Sequence, residues 1–443
     1  MRRPFLSLAA ASVGALILSS CSVRSSSPAF YPPVIPLGNH ALSGLQSASS
    51  GKIQHVVIIV QENRSFDNMF QGYPGADTVS SGENSLGQTI KLVPIPLERQ
   101  YIIDHSFAAH EAAYDNGKMD GFDLEESSGG PTNPEYVYVP HSESKPYFDI
   151  AHEFVLGDRM FTSHVDESFV SHQYIIAGQA HRAVDLPGWP WGCGGGKFDT
   201  VETLTNKRTY GKSESACFDY QTLGDELDGK GLTWRFYTSQ IGGGDGEEWS
   251  GYQAVRHIRY GPDWAKDIIS PQSQFLTDVP AGTLSTVTWV TPTYPDSDHV
   301  NTGGNGGPDW VASLVNTVGE SKFWDSTAIF VMWDEWGGLY DHVPPPTVDY
   351  DGLGMRVGLL VVSPYAKKNY VSHVQYEHGS ILRFVEDQFG LGQLAASDTR
   401  ANDPATDCFD FTKPARKFVP IKTALSAQYF IHQPPDNRPP DDE

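Results

Sequence analysis

The sequence predicts an α/β fold with a mainly parallel central sheet flanked by helices. Three observations predict it: continuous apolar runs of strand length, amphipathic helical patterns between them, and polar residues directly after the runs. Residues 54–60, QHVVIIV, are β-branched and do not alternate, as in a strand buried on both faces. That run ends at Gln61, Glu62, Asn63 and Arg64. Residues 286–291 lead into PTYPDSDH, residues 327–333 (TAIFVMW) stop at Asp334 and Glu335, and residues 357–362 stop at Ser363 and Pro364. Open α/β sheets bind ligands outside the carboxyl ends of their strands, so four such ends are candidate ligand positions.

Between the runs lie helical patterns. Residues 308–320 carry Trp310, Val311, Leu314, Val315 and Val318 on one stripe, with Pro308 suited to the first turn and Gly319 near the end. Residues 380–389 carry Ile381, Leu382, Phe384 and Val385 and are closed by Gly390. The stretch from about 180 to 285 is rich in Gly, Trp and Tyr and reads as an insertion or cap on a domain spanning 51–400. Its Trp189, Trp191, Tyr237, Trp249 and Tyr252 suit either a pocket for a cationic head group or ordinary core packing. Residues 401–443 are rich in Pro and charge and read as a loosely ordered tail.

Composition narrows the class. The 443 residues carry a formal net charge of −23, which argues against a nucleic-acid backbone as partner. With 39% hydrophobic and only 19% charged residues, the chain is neither disordered nor a coiled coil. No repeat period marks a solenoid or propeller.

Residues 1–21 read as an export signal: a basic start, a short apolar run and small residues before Cys21. Arg2 and Arg3, followed by Phe5 and Leu6, resemble a twin-arginine signal, and LSSC resembles a lipobox that would leave an acylated Cys21 as a membrane anchor. Residues 22–50 then form a Ser- and Pro-rich tether, and the expected location is the periplasm, the envelope or the medium. Three cysteines remain. A Cys193–Cys217 bridge is favoured, with Cys408 either a competing partner or a free thiol.

The chemistry concentrates at two strand ends. In ENRSFDNMF, residues 62–70, a carboxylate beside a carboxamide offers two hard oxygen ligands for a divalent cation. The plainer alternative is a turn in which Asn63 and Asp67 cap a helix. Asp334 and Glu335 weigh toward the cation, because adjacent acids at the mouth of a buried strand repel unless a cation or proton joins them. Gly303 to Gly307 could cradle an anion, although a flexible connector explains them too, and no P-loop, GxGxxG or HExxH is present.

The run HVVIIVQENRSFDNMFQGYPG and the later DEWGGLYDHVPPP resemble the bacterial phospholipase C and acid phosphatase family of phosphoesterases, related to the alkaline phosphatase superfamily. Similarity extends over most of residues 52–390. The resemblance implies an alkaline phosphatase-like fold, a divalent metal held by Glu62, Asn63, Asp334 and Glu335, and a Ser or Thr that attacks phosphorus to form a phosphoenzyme. In DESFVSHQYIIAGQ that nucleophile falls at Ser168, with Ser171 and Thr162 as lesser candidates. His105, in YIIDHSF, matches a phosphate-contacting position. His299 (PDSDH, with Asp296 and Asp298 as orienting partners) and His342 (LYDHV, beside Asp341) follow, and His172, His257 and His378 rank lower. Some relatives carry His where this chain has Trp336. The substrate implied is a phosphate ester or a phospholipid head group; a rival reading is an envelope lipoprotein that binds solute or glycan without turnover.

Overall fold

The computed structural model describes residues 51–188, 191–239 and 249–436. The predicted signal, the acylation site at Cys21, the tether, Trp189 and the final residues 437–443 lie outside the described residues.

In chain order the central elements are β1 (His55–Gln61), α1 (Phe66–Phe70), α2 (Phe107–Tyr114), α3 (Lys145–Glu153), β2 (Val155–Phe161), α4 (Ser168–Ala177), β3 (Trp234–Tyr237), β4 (Ile268–Ile269), β5 (Val287–Val290), α5 (Gly307–Gly319), β6 (Thr327–Trp333), β7 (Arg356–Val362), β8 (Tyr370–Ser372), β9 (Tyr376–Glu377) and α6 (His378–Phe389). Their sheet runs β4-β3-β5-β1-β6-β7-β2-β8, with β9 also paired to β2. Every strand except β7 runs the same way. The α/β architecture and its mainly parallel sheet are therefore present. In β1 every residue from Val56 onward is buried, and β6 and β7 are buried throughout, so the continuous apolar runs occupy the middle of the sheet.

The helices cover the sheet as their stripes predict. Trp310, Val311, Leu314, Val315 and Val318 of α5 are all fully buried. Gly390 caps α6 in the left-handed conformation at φ 64°, its N–H donating to the Glu386 carbonyl.

Three expectations need correction. First, β7 is antiparallel to both neighbours, so Ser363 lies at the opposite edge from the other strand ends, where its hydroxyl donates to the Thr327 carbonyl at 2.9 Å. It is Arg356, at the start of β7, that shares the functional edge. Second, the region 180–285 is not wholly a cap: β3 and β4 extend the main sheet, and Tyr237 and Tyr252 pack in its core while Trp191 packs in a satellite cluster. Third, residues 402–436 do not hang free. Cys408, Phe409, Ile421 and Phe430 are buried in the main core, and Asn316 on α5 exchanges two 2.8 Å hydrogen bonds with the Ile421 backbone. Cys193 and Cys217 form a disulfide, and Cys408 is a buried thiol.

Candidate active site

Parallel strands place their carboxyl ends on one rim, and there β1 delivers Glu62 and Asn63 while β6 delivers Asp334 and Glu335. Backbone geometry holds the two ends together: the Asp334 N–H donates to the Gln61 carbonyl at 2.9 Å, and the Asn63 N–H donates to Asp334 Oδ1 at 3.1 Å. Asn63 adopts the left-handed conformation at φ 47°, which Asn tolerates better than most residues. Gly337, at φ 64°, passes so close that a Cβ there would sit 2.4 Å from the Asn63 carbonyl oxygen. This contact explains the glycine after DEW. The helix α1 that follows is capped by Ser65, whose Oγ accepts from the Asn68 N–H, and not by Asn63 or Asp67.

From β2 the chain turns through residues 162–167 into α4, whose first residue is Ser168. Ser168 Oγ donates to Asn63 Oδ1 at 3.3 Å. The Asn63 carboxamide N–H in turn faces His105 Nε2 at 3.3 Å, and His105 Nδ1 donates to the Ile103 carbonyl at 2.9 Å. These bonds fix the tautomer: with the proton on Nδ1, Nε2 accepts from Asn63. Glu335 Oε1 lies 3.6 Å from the same Nε2. Hydroxyl, carboxamide, imidazole and carboxylate are thus linked, and Glu62, Asn63, Ser168, Asp334 and Glu335 are all fully buried.

One more residue joins them. His172, ranked low from sequence, places Nε2 at 3.0 Å from Glu62 Oε1 and 3.8 Å from Asp334 Oδ2. The signal was its spacing: Ser168, Ser171 and His172 stand at i, i+3 and i+4 and share one helical face. Ser171 donates to the Asp334 carbonyl, so its hydroxyl has a structural partner, and Thr162 Oγ1 donates to the His164 carbonyl at 2.6 Å.

The electrostatics fit a cation. Ligand atoms of Glu62, His172 and Asp334 lie within 4.8 Å of one another, all buried. Burial, then the facing Glu62 carboxylate, pushes the Asp334 carboxyl well above its usual range, and burial lifts Glu335 to about 8. Burial lowers His172 to about 4, so it is neutral at neutral pH and a nitrogen donor. Two carboxylates facing each other in the interior need a shared proton or a divalent ion, and an oxygen-rich set with one imidazole suits the latter.

The remaining histidines divide. His299 follows β5 and meets His105 edge to face, ring centroids 6.1 Å apart, while its Nδ1 bonds the Val300 carbonyl. Its expected partners are engaged elsewhere: Asp298 Oδ2 accepts from the Tyr147 hydroxyl at 2.7 Å and Trp333 Nε1 at 3.0 Å, and Asp296 accepts from Thr293 at 2.7 Å and Gln433 at 3.1 Å. His378 faces the Trp333 carbonyl at 3.3 Å, and His257 bridges Asp219 and Asp225 at the surface. His342 belongs to a second cluster. Its Nδ1 lies 2.6 Å from Asp67 Oδ2, and its Nε2 lies 3.2 Å from Asp77. Burial opposes its protonation, but the Asp67 bond and the charges of Asp67 and Asp341 together outweigh this and raise its pKa.

That second cluster resembles a metal site in composition and is not built as one. Arg356, fully buried, donates Nε to Asp341 at 3.0 and 3.2 Å and places Nη2 3.5 Å from Asp67. Backbone N–H groups of Asp67, Val79, His342 and Val343 saturate both carboxylates. A guanidinium therefore takes the place a cation would need, tying α1 to the chain beyond Glu335. Arg356→Met would leave two buried carboxylates without that charge and should cost about 3–5 kcal/mol. Urea unfolding checks this, and a loss under about 1 kcal/mol, the size of an exposed pair, would contradict it.

The chain is 25% identical to a non-hemolytic phospholipase C of Pseudomonas aeruginosa over 95% of its own length and 65% of that protein's. It is 24% identical to a non-hemolytic phospholipase C of Burkholderia pseudomallei, with 88% and 61% covered, and so spans less than two thirds of these two relatives. Phospholipase C B of Mycobacterium tuberculosis is 24% identical, with 83% and 80% covered. A solved protein of the alkaline phosphatase superfamily from Vibrio parahaemolyticus aligns over 80% of this chain and 71% of its own, at 12% identity and a TM-score of 0.38, a likeness too remote to bear on the site. Residues 53–392 match the Phosphoesterase family, and the chain belongs to that family.

Proposed function

We propose that the protein hydrolyses phosphate esters through a Ser168-linked phosphoenzyme. The observation that carries this reading is the contact of Ser168 Oγ with Asn63, between His105 and the buried carboxylates of Glu62, Asp334 and Glu335. Ser168 Oγ attacks phosphorus, the bond from phosphorus to the alcohol oxygen breaks, and that oxygen leaves with a proton. Water then attacks the phosphoserine and releases phosphate or, from a diester, a phosphomonoester. Ser168 opens α4, so backbone N–H groups of the first turn point toward the phosphate oxygens. His105, through its Nε2, orients the Asn63 carboxamide that Ser168 contacts, and His299 is placed to exchange the leaving-group proton through Nε2, its Nδ1 being engaged by Val300. His342 positions the loops through Asp67. A divalent ion held by Glu62, Asn63, Asp334 and Glu335, with His172 beside them, would supply positive charge for the phosphate and lower the pKa of a neighbouring hydroxyl.

The relatives' names favour phospholipase C activity over acid phosphatase activity. The Cys193–Cys217 disulfide supports export to an oxidising compartment. The test is hydrolysis of p-nitrophenyl phosphate and p-nitrophenyl phosphorylcholine, with and without chelator. Turnover of the choline diester, lost on chelation and restored by a divalent metal, is the expected result. Turnover of the monoester alone would give the acid phosphatase reading, and turnover of neither with metal restored would leave a binding protein.

A further inference from the structure

Beside the site, on the same rim, lies a cavity of about 320 Å³ that the chemistry above does not use. It opens at the carboxyl ends of β3, β4 and β5: Ser239 lies two residues past β3, Ser270 directly follows β4, and Thr293 lies in the loop after β5. Because β5 is the neighbour of β1 and the strands are parallel, the cavity sits one to three strands along from Glu62. At about 4.8 Å per strand that is roughly 5–15 Å, the reach of a small group esterified to phosphorus. The loop carrying Thr293 continues to His299, so one short segment borders both the cavity and the imidazole assigned to the leaving oxygen.

The walls state what they would bind. Gln272 is 3% exposed and Ser273 8%, both line the cavity, and neither side chain makes a hydrogen bond to any described residue. Both side chains reach the cavity, where a carboxamide can donate and accept and a hydroxyl can do either. Thr293 and Ser270 stand beside them, with hydroxyls directed to Asp296 and the Ser239 carbonyl. Phe430 gives an apolar wall. Among the described lining residues there is no Lys, Arg or His, and Asp436 is the one charged group.

We infer that this cavity is the leaving-group subsite and takes a neutral polyol, which makes phosphate esters of glycerol, inositol or sugars the substrate class. Carboxamide and hydroxyl groups pair with vicinal hydroxyls as both donor and acceptor, whereas a trimethylammonium group would offer them nothing. The inference rests on the phosphoesterase reading for its place in the reaction, but polyol binding can be measured without turnover.

The experiment uses the Ser168→Ala full-length chain and saturation-transfer NMR with myo-inositol, glycerol and choline as separate probes. Inositol and glycerol should give transfer that depends on Gln272, and choline transfer should be indifferent to Gln272. Gln272→Leu in the same background should weaken inositol binding about tenfold, the loss expected for a hydrogen bond to a buried partner. Ser273→Ala provides a second, smaller perturbation should the first variant misfold. In the otherwise wild-type chain, Gln272→Leu should lower the ratio of kcat/KM for glycerol phosphate to that for methyl phosphate. Inositol binding that ignores both substitutions, or choline binding that Gln272→Leu weakens as it weakens inositol binding, overturns the inference. Absence of turnover on any ester with polyol binding intact would instead count against the catalytic reading alone.

Discussion

Ser168→Ala should reduce ester hydrolysis by roughly 10⁴-fold or more, the scale on which loss of a nucleophile is felt when the rest of the site remains. The cation site should survive, because Ser168 touches it only through the 3.3 Å bond to Asn63 Oδ1, while Glu62, His172 and Asp334 make their contacts independently. Two measurements together decide the matter. Metal affinity by calorimetry should change less than about threefold, below the 1.4 kcal/mol that a tenfold change represents, and the burst of alcohol release expected of a phosphoenzyme should vanish. A variant that hydrolyses at the wild-type rate would remove Ser168 from the mechanism. Ser171→Ala gives the internal comparison, since its hydroxyl is bonded to the Asp334 carbonyl and its loss should shift that strand end without removing the attacking group.

The runs at β1 and β6 were legible because strands buried on both faces must be apolar throughout, and the polar groups after them followed from where such strands end. The direction of β7 was not, because an apolar run looks the same read either way. The signal lay in the preceding link, residues 334–355, which lacks the helical pattern that a parallel crossover normally requires. His172 is one of 15 histidines, and only its place as the i+4 neighbour of Ser168 distinguishes it in the sequence. His342 sits close to Asp334 and Glu335 in sequence, yet its side chain points to Asp67 and Asp77, a choice set by the buried Arg356 that no motif announced. The tail misled through its average composition, since a few buried groups, Cys408, Phe409, Ile421 and Phe430, suffice to dock a Pro-rich segment.

Asp334→Asn should abolish cation binding and turnover and yet stabilise the cation-free protein. In that state Glu62 and Asp334 face each other in the interior, and Asp334 holds its proton far above the ordinary carboxylate range; burial holds Glu335 protonated up to about 8. The folded chain therefore binds more protons than the unfolded chain from about pH 4 upward, so its stability falls as pH rises, for Glu335 until about pH 8. Asn keeps the oxygen that accepts the Asn63 N–H and removes the charge, which should raise stability by about 1–2 kcal/mol at pH 8 and much less at pH 5. Cation binding achieves the same relief in the wild type. Chelated wild-type protein should lose thermal stability between pH 5 and pH 8, divalent metal should restore it most at pH 8, and Asp334→Asn should show neither dependence to the same degree. Thermal unfolding of both proteins at the two pH values, with chelator and with metal, reads all of this. If Asp334→Asn melts below the chelated wild type at pH 8, then the carboxylates are not opposed in the folded state, and the site was not built around a cation.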